Sequence, residues 1–411
     1  MKGYDGLKKI FQYGVLLALA ALSCVAQQSK VYQQGDSWVE EVSGTLAQPA
    51  HNLKLITDMG SVHVEGGNQG NVSYTVRKRV RAGSEQEARR AFEMIRVSAG
   101  SQGDWAWIRG QASERQKTRS FSAEFSVQVP RGLELVKAET GGGSLEVKAI
   151  SGRVEAETGG GSMHLDDIGG GIEARSGGGN VEVGYVAQDA RLETGGGSIH
   201  IRAVDGNLEA QSGGGNIQID EGKASMMLHT GGGSIQVNKC GGDLEASTGG
   251  GVISAGNVAG KADLETGGGS IRLASAGGPV HAESGGGSVE LYKLSSGVQA
   301  ETGSGGIVAE FVGTGPEFRN SRLETAAGDI RVFLPQNLPV SVYAAIDVSD
   351  GHAIHSDFSA LKVTSEGEGY GPRETYCRGD LNGGGPKLHV HTTTGNIDFL
   401  QTASTANRKP H

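Results

Sequence analysis

A glycine-rich turn recurs at intervals of 18 residues through the middle of this 411-residue chain. The ten turns start at Gly141, Gly159, Gly177, Gly195, Gly213, Gly231, Gly249, Gly267, Gly285 and Gly303. No residue is inserted or deleted between them, whereas a flexible Gly/Ser linker has no reason to keep a constant length. The strict period therefore predicts units that stack on one another in a single orientation.

Apolar residues recur with the same period, at five positions of each unit. In the first unit they are Val136, Ala138, Leu145, Val147 and Ile150. Before and after the glycine turn their spacing is two residues, which is the period of a β-strand with one buried face. Each unit is therefore predicted to contain two short strands, one before its turn and one after it.

These patterns predict an all-β fold whose core is a parallel β-solenoid, a single-stranded β-helix of ten 18-residue rungs over residues 131–314. Glycine is expected at the corners because a tight corner needs positive φ or close backbone approach. Replacement of a central glycine such as Gly214 by Val is accordingly expected to destabilise the stack. The Thr or Ser before each turn, such as Thr230, is expected to form hydrogen bonds along its column, which would satisfy the corner without a ligand.

The regions on either side of the repeat lack its period. Residues 27–130 are predicted to form an N-terminal cap of β-strands with one helix, about Ser84 to Ile95, opened by Ser84 and Glu87 as a capping box. Residues 315–400 are predicted to contain degenerate rungs and a C-terminal cap. Residues 401–411 are predicted to be a disordered tail.

The N-terminus is typical of an export signal over residues 1–26. Lysines precede the apolar run Val15 to Leu22, and small residues follow, so cleavage after Ala26 is one prediction. The alternative is a lipoprotein signal that ends at Cys24, where lipidation would anchor the protein. We therefore predict an exported protein of the periplasm, the outer membrane or the extracellular space. No later segment has the ~18 apolar residues of a transmembrane helix.

The net charge of −9 counts against nucleic acid as a partner, because phosphate binding requires a clustered basic surface. The densest basic run is Arg77, Lys78, Arg79 and Arg81. It lies in a strand-like stretch, and a solvated strand face is the simplest interpretation.

Four segments resemble a bacterial adhesin-like domain family of unknown function, which contains secreted β-solenoid proteins similar to the head domains of autotransporter adhesins. They are Phe125–Leu133 (FSVQVPRGL), Glu139–Val147 (ETGGGSLEV) with its repeats, Gly328–Pro335 (GDIRVFLP) and Thr394–Asp398 (TGNID). The resemblance covers about residues 40 to 400 and implies the solenoid fold. It implies no catalytic residues, because the family has none that could be transferred.

An enzyme is the main alternative, since parallel β-helices include polysaccharide lyases that use acidic clusters for Ca²⁺. The acidic column of this chain is Glu139, Glu157, Glu193, Glu265, Glu283 and Glu301. Arg175, Gln211, His229 and Ser247 interrupt it, which is more typical of a soluble surface. A group of His352, His355, His389 and His391 was the other metal site considered. We predict no catalytic, cofactor-binding or metal-binding residues.

The two cysteines of the later sequence are expected to differ. Cys240 occupies the fifth apolar column and is predicted to be buried and reduced. Cys377 is expected to react faster with thiol reagents, and a disulfide between them is not expected.

The functional hypothesis is a non-enzymatic, adhesin-like envelope or cell-surface protein that acts as a scaffold or interaction surface. The alternative is a periplasmic or outer-membrane-attached structural factor with a protein partner, and a polysaccharide-active β-helix enzyme is the third candidate. An envelope protein or a surface glycan would be the partner. Tyr185 and Tyr292 are the outward aromatic residues of the rungs, which is few for a glycan platform.

Overall fold

The computed structural model describes residues 27–46, 49–113, 121–313, 318–366 and 373–402. The predicted signal peptide, Cys24 and most of the predicted tail lie outside the described residues. Strands dominate the described part of the chain. Its helix is too short to span a bilayer, and no other described segment forms a membrane-spanning helix.

In the described part of the chain, eight strands and one helix precede the repeat. They are β1 (Gln28–Gln34), β2 (Ser37–Leu46), β3 (Asn52–Thr57), β4 (Ser61–Gly67), β5 (Val72–Val80), α1 (Glu85–Phe92), β6 (Ile95–Gln102), β7 (Trp105–Ala112) and β8 (Phe121–Pro130). Ser84 caps α1 as predicted, since its Oγ accepts a hydrogen bond from the Glu87 N–H at 3.3 Å. The helix ends at Phe92, before the predicted end, because Ile95 already begins β6.

Each 18-residue unit contributes two strands, one before and one after its glycine turn. They are β9 (Leu135–Thr140), β10 (Leu145–Ile150), β11 (Arg153–Thr158), β12 (Met163–Ile168), β13 (Ile172–Ser176), β14 (Val181–Val186), β15 (Ala190–Thr194), β16 (Ile199–Val204), β17 (Leu208–Ser212), β18 (Ile217–Gly222), β19 (Met226–Thr230), β20 (Ile235–Cys240), β21 (Leu244–Thr248), β22 (Ile253–Val258), β23 (Ala262–Thr266), β24 (Ile271–Ala276), β25 (Val280–Ser284), β26 (Val289–Leu294), β27 (Val298–Thr302) and β28 (Ile307–Phe311). The repeat thus forms ten coils, as predicted.

Eight strands follow the repeat in the described residues. They are β29 (Ser321–Ala327), β30 (Ile330–Leu334), β31 (Val340–Ile346), β32 (Ile354–Ser356), β33 (Lys362–Glu366), β34 (Glu374–Leu381), β35 (Lys387–Thr394) and β36 (Ile397–Gln401).

Two parallel sheets run the length of the stack. The strands before the glycine turns form sheet 1 (β9, β11 and so on to β27), and the strands after them form sheet 2 (β10, β12 and so on to β28). Each residue pairs with its equivalent 18 residues later, as Ala190 does with Leu208 and Leu192 with Ala210. The large and the small residue have exchanged places between these two coils, which keeps the volume of the core nearly constant. The predicted β-solenoid is confirmed.

The core lies between the two sheets, where the five predicted columns are buried, with two local exceptions. At Gly222 a side chain is missing, and Met226 fills the space. At the last coil Val312, predicted to be inward, is 43% exposed, and Phe311 is buried instead. The register shifts here because β28 is one residue short of the repeat: only Glu310 separates Ala309 from Phe311, whereas two residues separate their partners Leu291 and Leu294 on β26.

Both ends of the stack add coils out of sequence order. The β3/β4 coil lies between the first repeat coil and the β7/β8 coil, since β3 pairs with β9 and β7, and β4 pairs with β10 and β8. At the other end the β35/β36 coil lies between β29/β30 and β31/β32. The segment expected to cap the N-terminus therefore also lengthens the solenoid, and the expected degenerate rungs at the C-terminus are present.

Antiparallel strands close the two ends. At the N-terminal end β6 pairs with β7, and β5, β2 and β1 extend sheet 2 beyond β8. At the C-terminal end β34 pairs with β31, and β33 pairs with β34. These strands cover the edges of the parallel coils, which would otherwise be open to pairing with another chain.

Of the two expected reasons for glycine at the corners, positive φ and close backbone approach, only the second applies. Positive φ is not found at the ten repeat turns; the described glycines with positive φ are Gly35, Gly60, Gly103, Gly328, Gly351, Gly383, Gly384 and Gly395. Close approach is the reason instead. A Cβ on the first or third glycine of a turn would lie under 3.0 Å from a backbone oxygen of the preceding coil, as Gly215 shows against Gly197. A Cβ on Gly214 would meet nothing within 4 Å. Neither positive φ nor close approach therefore requires glycine at this central position, and the reason given for the predicted effect of Gly214→Val is wrong.

Hydroxyl groups link the coils at the same corner. The Oγ1 of Thr230 donates to the carbonyl oxygen of Gly215 in the coil before, at 2.7 Å, and accepts from the N–H of Gly233 at 3.3 Å. Equivalent bonds recur along the stack, for example from Ser212 to Gly197 at 2.8 Å. The expected hydrogen bonding along the column is confirmed, with the backbone as the partner.

Both cysteines are buried, which confirms one prediction and overturns another. Cys240 is 1% exposed in its inward column, and Cys377 on β34 is 0% exposed. Neither forms a disulfide. Cys377 points inward opposite Ala344 of β31, so faster labelling of this residue is not expected. Burial raises the pKa of both thiols.

The basic run of β5 is only partly a solvated face. Lys78 is buried, and its Nζ lies 2.9 Å from Glu40 Oε2 and 3.1 Å from the carbonyl oxygen of Phe92. Lys78 points inward because it lies between Arg77 and Arg79 on a strand whose side chains alternate. A buried cation needs such partners, since an unpaired one would be costly.

Candidate binding groove

A corner made of small residues, whose side chains project little from the surface, borders the outer face of sheet 1. It lies where each sheet 2 strand ends and the next sheet 1 strand begins, for example at Ser151, Gly152, Gly170 and Ser225. Gly152 and Gly170 stack tightly, because a Cβ on either would lie under 3.0 Å from backbone atoms of the coil before. Larger outward side chains of sheet 1 stand beside this corner, and a groove forms along the stack.

The groove has two continuous parts. The first has a volume of about 840 Å³ and crosses seven strands of sheet 1, the odd-numbered strands from β11 to β23. The second, of about 540 Å³, continues from β23 to β35, and Lys261 and Asp263 line both parts. At ~4.8 Å per strand the combined length is ~48 Å. We call the two parts together the long groove.

Charged side chains along the long groove are paired between coils. Arg153 Nη2 lies 2.8 Å from Glu173 Oε2. Arg191 and Glu209, which are direct partners on neighbouring strands, form a second ion pair. Such exposed pairs add little to stability. They do give the groove a fixed pattern of alternating charge, which a ligand could recognise.

One exposed apolar side chain lies near the middle of the long groove. Met227 is 49% exposed there, between Glu209 and Glu245 of the neighbouring strands. None of the described residues that line the 840 Å³ part has an aromatic ring. Tyr185 and Tyr292 lie on β14 and β26 of sheet 2, away from the groove.

The acidic column follows the side of sheet 1 next to the glycine turns. Its interruptions are present as predicted, but at the C-terminal half Glu265, Glu283, Glu301 and Glu324 are direct partners on adjacent strands. Glu324 lay outside the predicted column because the chain between β28 and β29 is longer than the repeat allows.

The four histidines considered for a metal do not come together. His389 and His391 are on β35 of sheet 1, whereas His355 is on β32 of sheet 2. His391 Nε2 lies 3.0 Å from Asp347 Oδ1, and the His389 ring packs 5.2 Å from that of Tyr343. In the described ranges, a group that could hold a metal ion is instead formed by Asp263, Glu265 and His281.

Sequence reasoning missed that group although the period contains it. His281 follows Asp263 by 18 residues, so the two had to be direct partners on neighbouring coils. The same interval places Glu283 beside Glu265, so the two outward columns together mark the group.

Solved structures of low sequence identity cover much of the chain. A candidate cell adhesion protein from Clostridium sporogenes is 10% identical, with 92% of this chain and 100% of that chain covered and a TM-score of 0.16. A candidate adhesin from Bacteroides fragilis is 13% identical, with 65% and 95% covered and a TM-score of 0.27. A candidate adhesin from Parabacteroides distasonis is 9% identical, with 89% and 98% covered and a TM-score of 0.23. With TM-scores this low, these likenesses decide nothing about the activity of this chain.

No curated protein matches the chain. Residues 53–399 match the family described as Toastrack DUF4097, and this range runs from β3 to β36. It includes the ten repeat coils and the coils added at both ends. The resemblance to an adhesin-like domain family of unknown function is thereby confirmed. The chain belongs to the Toastrack family of domains of unknown function, DUF4097.

Proposed function

We propose that the protein is a non-enzymatic, adhesin-like protein of the cell envelope or cell surface, and that the long groove is its interaction surface. The observation that carries this proposal is the continuity of the groove across the coils from β11 to β35. A surface of ~48 Å on a stack with a regular backbone suits an extended ligand, which makes many weak contacts along its length.

The pairing of charges supports binding over catalysis. A β-helix lyase requires a base that is free to take a proton from its substrate. In the long groove Glu173 accepts hydrogen bonds from Arg153 and lies 2.7 Å from Arg175, and Glu209 pairs with Arg191. Carboxylates held in this way are already occupied by cations.

A protein ligand is favoured over a glycan. Carbohydrate recognition along a solenoid commonly uses stacked aromatic rings, and the described lining of the 840 Å³ part has none. Met227 offers an adaptable apolar contact of the kind found at protein interfaces. The same observation favours the second candidate function, a periplasmic or outer-membrane-attached structural factor with a protein partner.

Matched charge reversals test the groove. Arg191 and Glu209 pair across neighbouring coils of sheet 1, and Arg272 and Glu290 pair in the same way on sheet 2. In pull-downs from envelope extract and on a glycan array, we expect Arg191→Glu to lose the ligand of the wild type. Arg272→Glu should retain it. Equal retention or equal loss by the two variants would remove the groove as the interaction surface.

The location of the protein decides between the two candidate functions. Protease added to intact cells should degrade the protein if it is displayed on the surface, as the adhesin-like function requires. Full protection until the outer membrane is opened would instead support the periplasmic structural factor. The mass of the mature protein would show whether export ends with cleavage after Ala26 or with lipidation at Cys24.

A further inference from the structure

Four side chains that can bind metal converge on the outer face of sheet 1. Asp263 and Glu265 are two residues apart on β23, so both point outward. On β25, His281 lies directly opposite Asp263, and Glu283 lies directly opposite Glu265. The four residues therefore occupy the corners of one small patch, with two coils contributing two residues each.

The distances suit a single ion. One ligand atom each from Asp263, Glu265 and His281 lies within 4.8 Å of the other two. His281 Nε2 is 4.0 Å from Glu265 Oε1 and 4.0 Å from Glu283 Oε2. Zn²⁺ binds nitrogen and oxygen ligands at ~2.0–2.2 Å in tetrahedral geometry, so its ligand atoms are ~3.3–3.6 Å apart and those of this group must move closer to bind one ion. Rotations of these partly exposed side chains would close the remaining gap.

The carboxylate of Asp263 has an unsatisfied oxygen. Its Oδ2 accepts a hydrogen bond from Lys261 Nζ at 2.6 Å. Its Oδ1 is buried and has no hydrogen-bond partner in the described part of the structure. A buried acceptor without a partner is unfavourable, and a bound cation would satisfy it.

The charge of the patch favours a dication. Asp263, Glu265 and Glu283 supply three carboxylates, and Lys261 supplies one positive charge. The imidazole of His281 lies between Glu265 and Glu283, where a nitrogen ligand favours a transition metal such as Zn²⁺ over Mg²⁺ or Ca²⁺.

We propose that Asp263, Glu265 and His281 form a binding site for a divalent transition-metal ion, with Zn²⁺ as the best-suited ion and Glu283 as an additional ligand. The site lies where the two parts of the long groove meet, since Asp263 lines both parts and His281 lines the second. The metal site does not depend on the proposed function, because it rests on its own residues.

Isothermal titration with Zn²⁺ tests the site on the purified, untagged protein in chelator-treated buffer. The wild type should bind one ion, and Zn²⁺ should raise its melting temperature. His281→Gln and Asp263→Asn should each weaken binding at least tenfold. His200→Gln is the matched control, because the His200 imidazole also faces a carboxylate, Asp220 at 3.4 Å, but lies on sheet 2. It should bind like the wild type.

Melting curves without metal will show whether the variants are folded, since Asp263 and His281 are only partly exposed. Absence of Zn²⁺ binding up to about 100 μM would overturn the proposal, because such a site would be too weak to be specific. Binding that His281→Gln leaves unchanged would overturn it as well. So would Ca²⁺ binding as tightly as Zn²⁺ with no dependence on His281, which would indicate only an acidic surface.

Discussion

Gly215→Ala should destabilise the protein and Gly214→Ala should not, although the two residues are adjacent. A Cβ on Gly215 would lie under 3.0 Å from the carbonyl oxygen of Gly197, whereas ordinary contact begins near 3.4 Å. The same carbonyl oxygen accepts the hydroxyl of Ser212 at 2.8 Å, and this hydroxyl accepts from the Gly215 N–H at 2.9 Å. The new methyl group would therefore displace both hydrogen bonds at the corner.

The magnitude follows from these contacts. Two lost hydrogen bonds cost about 1 kcal/mol each, and overpacking costs about 1–3 kcal/mol, so Gly215→Ala should destabilise the protein by about 3 kcal/mol. A Cβ on Gly214 meets nothing within 4 Å, and Gly214 is not among the residues with positive φ. Gly214→Ala should be neutral or stabilising by up to about 1 kcal/mol, because alanine restricts the unfolded chain.

Guanidinium denaturation followed by far-UV circular dichroism compares the two variants with the wild type. Long stacks can unfold in parts, so transition midpoints are compared only where the slopes agree. Equal damage by the two substitutions would refute the explanation by close approach, and so would a Gly215→Ala variant as stable as the wild type.

Three further outcomes are expected. Cys240 and Cys377 should both react slowly with a thiol reagent until denaturant is added, because both are buried with raised pKa values; fast native labelling of either would contradict this. Ala149→Gly should stabilise the protein by about 0.5–1 kcal/mol in chemical denaturation, because Ala149 has φ 57°, whereas Ala203→Gly at the equivalent position without positive φ should not. Thr230→Val should cost about 1–2 kcal/mol in the same assay, since it removes the 2.7 Å bond between coils, and an unchanged midpoint would count against that bond.

The fold of the repeat could be predicted because one physical requirement recurs in every unit. An inward residue such as Leu208 must be apolar and must pack against its equivalent in the next coil. The 18-residue period and the apolar pattern therefore both identify the buried positions. The predicted columns failed at Val312, because β28 is one residue shorter than the repeat requires and its register against β26 shifts. One bulge of this kind is set by local backbone conformation, which the apolar pattern does not record.

The order of the end coils could not be predicted from the period. The strands β3 and β35 are inserted next to coils distant in sequence, so the 18-residue interval does not identify their partners. The long groove was also missed, because it depends on how small corner residues lie beside outward side chains. The metal-binding group was within reach, since the 18-residue interval between Asp263 and His281 already places them side by side.

Removal of one whole coil tests the stacked architecture most directly. Deletion of residues 213–230 removes one 18-residue unit and joins two turns in register, whereas deletion of residues 213–221 removes half a unit and exchanges the two sheets beyond the junction. If the coils are equivalent and stacked, the first variant should melt cooperatively with a strand-type circular dichroism spectrum, and the second should lose most of its stability. Similar melting of the two variants, whether both folded or both unfolded, would contradict a solenoid of interchangeable 18-residue coils.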